Sequence, residues 1–194
     1  MTRRSSLLLA GLALLAGCVP SLHPLYTAKD LIFEPQLLGT WRGENEDETW
    51  AFSAHDPSSY RLVVTDDDDR ESRLVVHLVN ISDERFLDIY PEKLDTGLGD
   101  LFKMHYVPAH TFFHVEQIEP TLRLAYLDPD WLETFLAANP TTVNHELVDD
   151  LIVLTAPTDA LQAFVLQHLD TNGAFSEPSD MHRVDQNRVR GAGQ

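Results

Sequence analysis

Residues 48–65 read ETWAFSAHDPSSYRLVVT, and this stretch decides the fold class. From Glu48 to Ala54, the residues Trp50, Phe52 and Ala54 fall on one side of an extended chain. From Tyr60 to Thr65, the residues Tyr60, Leu62 and Val64 do the same. Side chains of a strand alternate between its faces, so large apolar residues at a period of two mark a half-buried strand. His55-Asp56-Pro57-Ser58-Ser59 between the two runs is turn chemistry. Two such runs joined this closely predict an antiparallel hairpin.

The pattern continues downstream. Arg73 to Asn80 places Leu74, Val76 and Leu78 together, and Glu84 to Tyr90 sets Phe86 and Tyr90 against Leu87 and Ile89. Asp66 to Glu71 and Ile81-Ser82-Asp83 read as connectors. Pro91 to Asp100, with Gly97 and Gly99, reads as a loop, and strands are expected again at Lys103–Val107, Thr111–Ile118 and Thr121–Leu127. Asp128-Pro129-Asp130-Trp131 then opens a helix, with Asp128 as cap and Pro129 at the first helical position. Trp131, Leu132, Phe135 and Leu136 make its apolar face up to Ala138, and Asn139-Pro140 stops it. Residues 141–149 show no clear period and read as a short helical turn, and Leu151–Thr155 is a β-branched run expected to be a strand. A second helix fits Asp159 to Leu169, entered at Thr158, with Leu161, Phe164, Val165 and Leu169 as its stripe and Asn172-Gly173 beyond its end. Neither apolar stripe can stay in water. The expected fold is mainly β (α+β): an antiparallel, half-open barrel over residues 38–176, with two late amphipathic helices packed on it and a polar tail at 177–194.

Leu38-Gly39-Thr40-Trp41 stands where the strand-rich part begins. Gly39-Thr40-Trp41 resembles the Gly-x-Trp motif that opens the first strand of lipocalins and other calycins. The resemblance implies that Trp41 packs across the closed end of a barrel whose interior binds a small apolar ligand. The family's Thr-Asp-Tyr and terminal Arg motifs have no recognisable counterpart in the sequence, and a second helix is added near the end. Read from the residues alone, Trp41 is a core aromatic starting a strand.

The chain begins MTRRSSLLLAGLALLAGC. Arg3 and Arg4, an apolar run from Leu7 to Ala16, and small residues before Cys18 form a secretory signal layout, with a run too short for the roughly 18 to 20 residues that span a bilayer. Leu15-Ala16-Gly17-Cys18 resembles the lipobox of bacterial lipoproteins. The resemblance implies cleavage after Gly17, a diacylglyceryl thioether on Cys18 and an added N-acyl chain such as palmitate. It makes residues 1–17 a signal peptide and 18–37 a lipidated tether, broken by Pro20, Pro24 and Pro35 and docked through Leu31, Ile32 and Phe33. Val19, where an Asp would favour the inner membrane, points to the outer membrane, facing the periplasm.

The formal charge of the 194-residue chain is −17, and cleavage removes two more positive charges. A body this acidic argues against nucleic acid, whose binding relies on Lys and Arg. It is also expected to stand off an anionic lipid surface. Cys18 is the single cysteine, so disulfides within the chain and multi-cysteine zinc sites are excluded.

His110 and His114 share a strand face but stand about 13 Å apart along it. If Pro108-Ala109-His110 turns instead, His105 and His114 would approach across a hairpin. His145-Glu146 lacks the second His of a helical zinc motif, since position 149 is Asp149. Asp66-Asp67-Asp68-Asp69 lacks the Gly and distal Glu of a calcium loop and reads as a solvated hairpin tip. No metal site, cofactor site or catalytic residue is therefore expected. The expected function is a non-enzymatic, membrane-anchored envelope lipoprotein that binds a partner protein or supports envelope assembly. One alternative is a lipocalin-like binder of a small apolar ligand or lipid, and another is an envelope hydrolase.

Overall fold

The alternation read in residues 48–65 repeats around a ring of strands. The computed structural model describes residues 18–44, 46–93 and 99–184. Residues 1–17, which the sequence suggests as a signal peptide, Gly97 of the long loop and the tail from residue 185 lie outside the described residues. In chain order the elements are β1 (Leu31–Ile32), β2 (Gly39–Gly43), β3 (Thr49–Asp56), β4 (Ser59–Thr65), β5 (Glu71–Ile81), β6 (Glu84–Pro91), the one-turn α1 (Asp100–Lys103), β7 (Thr111–Gln117), β8 (Thr121–Tyr126), α2 (Pro129–Ala138), β9 (His145–Val148), β10 (Leu151–Leu154), α3 (Thr158–His168) and β11 (Ser179–Arg183). A 3-10 turn at Pro35–Leu37 leads into β2.

Strands β2 to β8 form an antiparallel meander, and β11 joins its two edges by pairing with β8 and with β2. The result is a closed eight-stranded antiparallel barrel of lipocalin-like form, where the sequence suggested a half-open one. The closing strand lies in the segment 177–194 that reads as a polar tail. Only Met181 of Ser179–Arg183 is apolar and buried. Backbone pairing on both edges makes this strand, and that leaves no apolar period to read.

One end of the barrel carries the β2–β3, β4–β5 and β6–β7 connections, and the other carries the 3-10 turn and the β3–β4, β5–β6 and β7–β8 turns. Ser82 and Asp83, with φ of 53° and 70°, make the tight β5–β6 turn, whose mirror geometry matches the strand twist. Asp149 and Asp150, also at positive φ, turn β9 into β10. That hairpin includes residues 145–148, which show no period in the sequence because their side chains are mostly exposed.

Lys103–Val107 is not a strand: α1 and turns occupy it. Its alternation has no sheet edge to join, because β6 and β7 pair directly, Phe86 opposite His114 and Ile89 opposite Thr111.

Two cores sit back to back on the barrel wall. Trp41, Trp50, Phe52, Tyr60, Leu62 and Phe113 are among the side chains that fill the barrel interior. Val79, Ile81, Phe86 and Phe112 face outward and pack with Leu132 and Leu136 of α2 and Leu161, Phe164 and Val165 of α3. Strand β6 serves both, with Leu87 and Ile89 inside and Phe86 outside. Asp128 caps α2 as its spacing predicts, accepting the Trp131 N–H at 2.8 Å.

Candidate functional site

Cys18 is half-buried, packed against the barrel core near Tyr126 at the end of β8. Burial pushes its thiol up to about 11. A thiol so placed is protonated at neutral pH and is not an activated nucleophile.

The chain is held from the next residue onward. Val19 and Leu25 are buried. Ser21 exchanges both backbone hydrogen bonds with His110, each 2.8 Å. On its other side, the Leu154 N–H donates to the Pro20 carbonyl and the Leu22 N–H to the Leu154 carbonyl, both at 2.9 Å. Thr158 and Gln162 of α3 donate to the carbonyls of Pro24 and Leu25. Asp30 accepts from Thr27 and Gln162, and its carboxyl is held below the ordinary value by these bonds, against the opposing effect of burial. Phe33 stacks on Tyr60 at 4.6 Å between centroids. Docking is thus continuous and not confined to Leu31, Ile32 and Phe33.

The centre of this clasp is Asp88, which has no solvent exposure. One carboxylate oxygen accepts the Leu25 N–H at 2.8 Å, and the other pairs with His110 Nδ1 at 2.7 Å. His110 therefore holds the segment twice, through its backbone to Ser21 and through its ring to Asp88. Tyr90 lies against the His110 ring and Tyr26 against His77, each at 4.4 Å. His77 is the direct cross-strand neighbour of Asp88. Burial pushes the His77 imidazole down, outweighing the nearby Asp88 charge. Burial, then the Asp88 charge, pushes Tyr26 up to about 12. At neutral pH the Tyr26 phenol thus stays protonated and the His77 imidazole neutral, and their rings pack together where the segment docks. Asp88 gives no signal in the sequence, since it sits in an otherwise ordinary apolar strand.

A second feature is an open cleft of about 290 Å³ lined by Glu84, His114, Glu116, Asp170, Ser176 and Glu177 among others. His114 Nε2 meets Glu84 at 2.9 Å, and the His114 ring lies against Phe86 and Phe175. His110 and His114 thus each take their own carboxylate. His105 lies in the exposed stretch after α1. Among the described residues, no group of three or more His, Cys, Asp or Glu side chains converges as a metal site would. At the tip 66–69, Asp66 accepts the N–H groups of Asp68 and Arg70 and pairs with the Arg70 side chain, so the turn satisfies itself.

Trp41 is fully buried at the barrel end where the 3-10 turn enters, donating from Nε1 to the Leu37 carbonyl at 2.9 Å. Arg183 covers its ring. Arg183 stands on the last strand and is not among the residues that the sequence singles out. Its signal is the close approach at Gly39, where φ is +124° and an added Cβ would strike Arg183 Nη1.

No family model, curated protein or solved structure matches this chain.

Proposed function

We propose that the chain is a non-enzymatic lipoprotein of the bacterial cell envelope, anchored through lipid on Cys18, that binds a partner protein or supports envelope assembly. The observation that carries the reading is the lipobox ending at Cys18, joined without slack to a barrel that grips the chain from Val19 onward. A permanent anchor is useful to a body that works by being placed. Each buried acyl methylene contributes about 0.8 kcal/mol, so several chains hold stably where one does not. Val19 after the cysteine favours the outer membrane, with the body facing the periplasm.

The apolar side chains that pack together inside the barrel, Trp41, Trp50, Phe52, Tyr60 and Phe113 among them, favour a protein that acts through its surface over a lipocalin-like binder of an apolar ligand. The hydrolase reading draws no support from the Glu84–His114 cleft, where His114 pairs with Glu84 and, among the described residues, no His or carboxylate is hydrogen-bonded to Ser176 Oγ.

The test is Cys18→Ser in the native host, read by intact mass and by detergent-phase partition. The wild-type chain should begin at an acylated Cys18 and partition with membranes, while the variant stays unprocessed at that site and unacylated. Normal processing and membrane partition of the variant would overturn the anchor. Pull-down with the acylated chain then tests partner binding, and turnover of envelope substrates with no recovered partner would favour the hydrolase.

A further inference from the structure

We infer that Leu101 to Val107, in the connection between β6 and β7, is a membrane-contact surface that rests on the bilayer holding the Cys18 lipid. The inference builds on the lipid-anchor reading. Three observations carry it.

The first is exposure. Leu101, Phe102, Met104, Tyr106 and Val107 are 50% to 77% exposed, while equally apolar residues elsewhere fill the two cores. A run of large apolar side chains held in water is a surface awaiting an apolar partner.

The second is placement. Val107 is three residues from His110, whose backbone is bonded to Ser21, and Ser21 is three residues from Cys18. Three residues span at most about 11 Å. Cys18 lies near Tyr126, at the barrel end from which the β6–β7 connection leaves. With the segment after Cys18 clamped, no linker separates the body from the lipid. A bilayer entered by acyl chains at Cys18 therefore lies within reach of Leu101–Val107, and this is why the occupant is lipid and not a protein.

The third is charge. The chain holds 31 acidic residues, yet none lies between Leu101 and Val115. Lys103 and His105 are interleaved with the apolar residues instead. Asp100 flanks the run and pairs with Lys103 at 3.9 Å, and Phe and Tyr with a Lys at the water-facing edge is the composition of an interfacial segment. The neighbouring hairpin differs. Leu147, Val148 and Leu151 are exposed there too, but its tip is Asp149-Asp150, which belongs in water. The acidic tip 66–69 shares the barrel end, so a neutral bilayer is the better partner. The body then lies against the membrane on one side and does not stand off it.

The experiment uses the acylated chain carrying Met104→Cys, labelled with an environment-sensitive fluorophore. It is reconstituted in vesicles of phosphatidylethanolamine and phosphatidylcholine containing a quencher-bearing lipid. His55→Cys, exposed near the far end of β3, is the control position. The label at 104 should shift to the blue and be quenched by the lipid-borne group, while the label at 55 does neither. Adding Phe102→Asp to the 104-labelled chain should abolish the shift, and residue 102 is exposed, so the fold does not depend on it. Equal, water-like emission at 104 and 55 on protein whose mass shows acylated Cys18 overturns the contact and leaves the anchor standing. A shift that survives Phe102→Asp also overturns it. A mass without acyl groups on Cys18 overturns the anchor reading itself.

Discussion

The guanidinium carbon of Arg183 lies 4.3 Å from the centroid of the Trp41 ring, and the two residues lock the last strand of the barrel to the first. The same guanidinium donates to the carbonyls of Leu38 and Gln36 at 2.6 and 2.7 Å and to Glu119 at 2.9 Å. It thus ties β11, the 3-10 turn and the β7–β8 turn together over a fully buried indole. Arg183→Ala should destabilise by about 2 kcal/mol, the scale of one cation–π contact plus charge-assisted hydrogen bonds at a partly exposed site. Arg183→Lys should recover little, because an ammonium cannot reproduce the planar fork. Gly39→Ala should cost about 1 to 3 kcal/mol through its positive φ, with the clash against Arg183 in addition. Urea unfolding of the three variants checks this. Wild-type midpoints throughout would show that β11 is held without the lock.

The Leu25 N–H and the His110 ring converge on the buried carboxylate of Asp88. Removing it leaves the Leu25 N–H and the His110 ring facing a void, so Asp88→Ala should cost about 2 to 4 kcal/mol. Asp88→Asn should cost clearly less, since the amide can accept from Leu25 and donate to His110 Nδ1. Hydrogen exchange reads the local effect: the amides of Ser21 and Leu25 should lose protection in the Ala variant before those of β3 and β4. Equal losses for Ala and Asn, or unchanged protection at Leu25, would mean that packing alone holds the segment.

What could be read in the sequence follows from where each element finds its partners. Trp50 and Phe52 on β3, and Tyr60, Leu62 and Val64 on β4, declare themselves because a sheet with one buried face needs that period. The faces of α2 and α3 are legible for the same reason, as is the Asp128 cap. Strand β11 is illegible because its definition is the pair of edges it joins, and Met181 alone carries an apolar side chain inward. Lys103 to Val107 misleads in the opposite sense: it alternates, but no edge is free to receive it. The motif ending at Cys18 is local, and its reading as a lipid anchor rests on the sequence alone. Asp88 and Arg183 are not, because each acts on residues far away in the chain, Leu25 and Trp41.

Stability should fall as the pH drops from neutrality, through histidines that fold neutral. Burial holds His168 below its ordinary value of 6.5, and burial is the leading cause for His77 as well. Above 6.5 both rings are neutral in folded and unfolded chains, so nothing is lost. As the pH falls through that value the unfolded chain takes up protons that the folded chain refuses, and the loss grows until the folded value is reached. His168 is the cleaner probe, because its ring packs among Trp131, Phe135 and Phe164 and, among the described residues, its Nε2 has no hydrogen-bond partner. His168→Phe should be at least as stable as wild type at about pH 7.5 and should lose less on going to about pH 5.5. Urea midpoints at the two pH values measure this, and an unchanged acid slope would move the effect elsewhere.

The barrel interior provides the sharpest separation between a surface-acting body and a ligand carrier. Phe113 stands inside the barrel, edge-on to Trp50 at 5.8 Å between centroids, with almost no exposure. Phe113→Ala should cost about 3 to 5 kcal/mol, the sum of lost transfer energy and the cavity left behind. The cavity would be lined by apolar groups, so it should stay dry and admit a small apolar guest such as benzene or xenon. The wild-type chain is expected to admit neither, since Trp50, Phe52, Tyr60 and Phe113 pack ring against ring inside the barrel. Calorimetry or xenon-sensitive NMR on both proteins decides the matter. If the wild-type chain binds such a probe as well as Phe113→Ala does, the interior is not full. The ligand-binding reading of Gly39-Thr40-Trp41 would then regain its force, since a barrel that yields room for a guest without mutation has a reason to be a barrel.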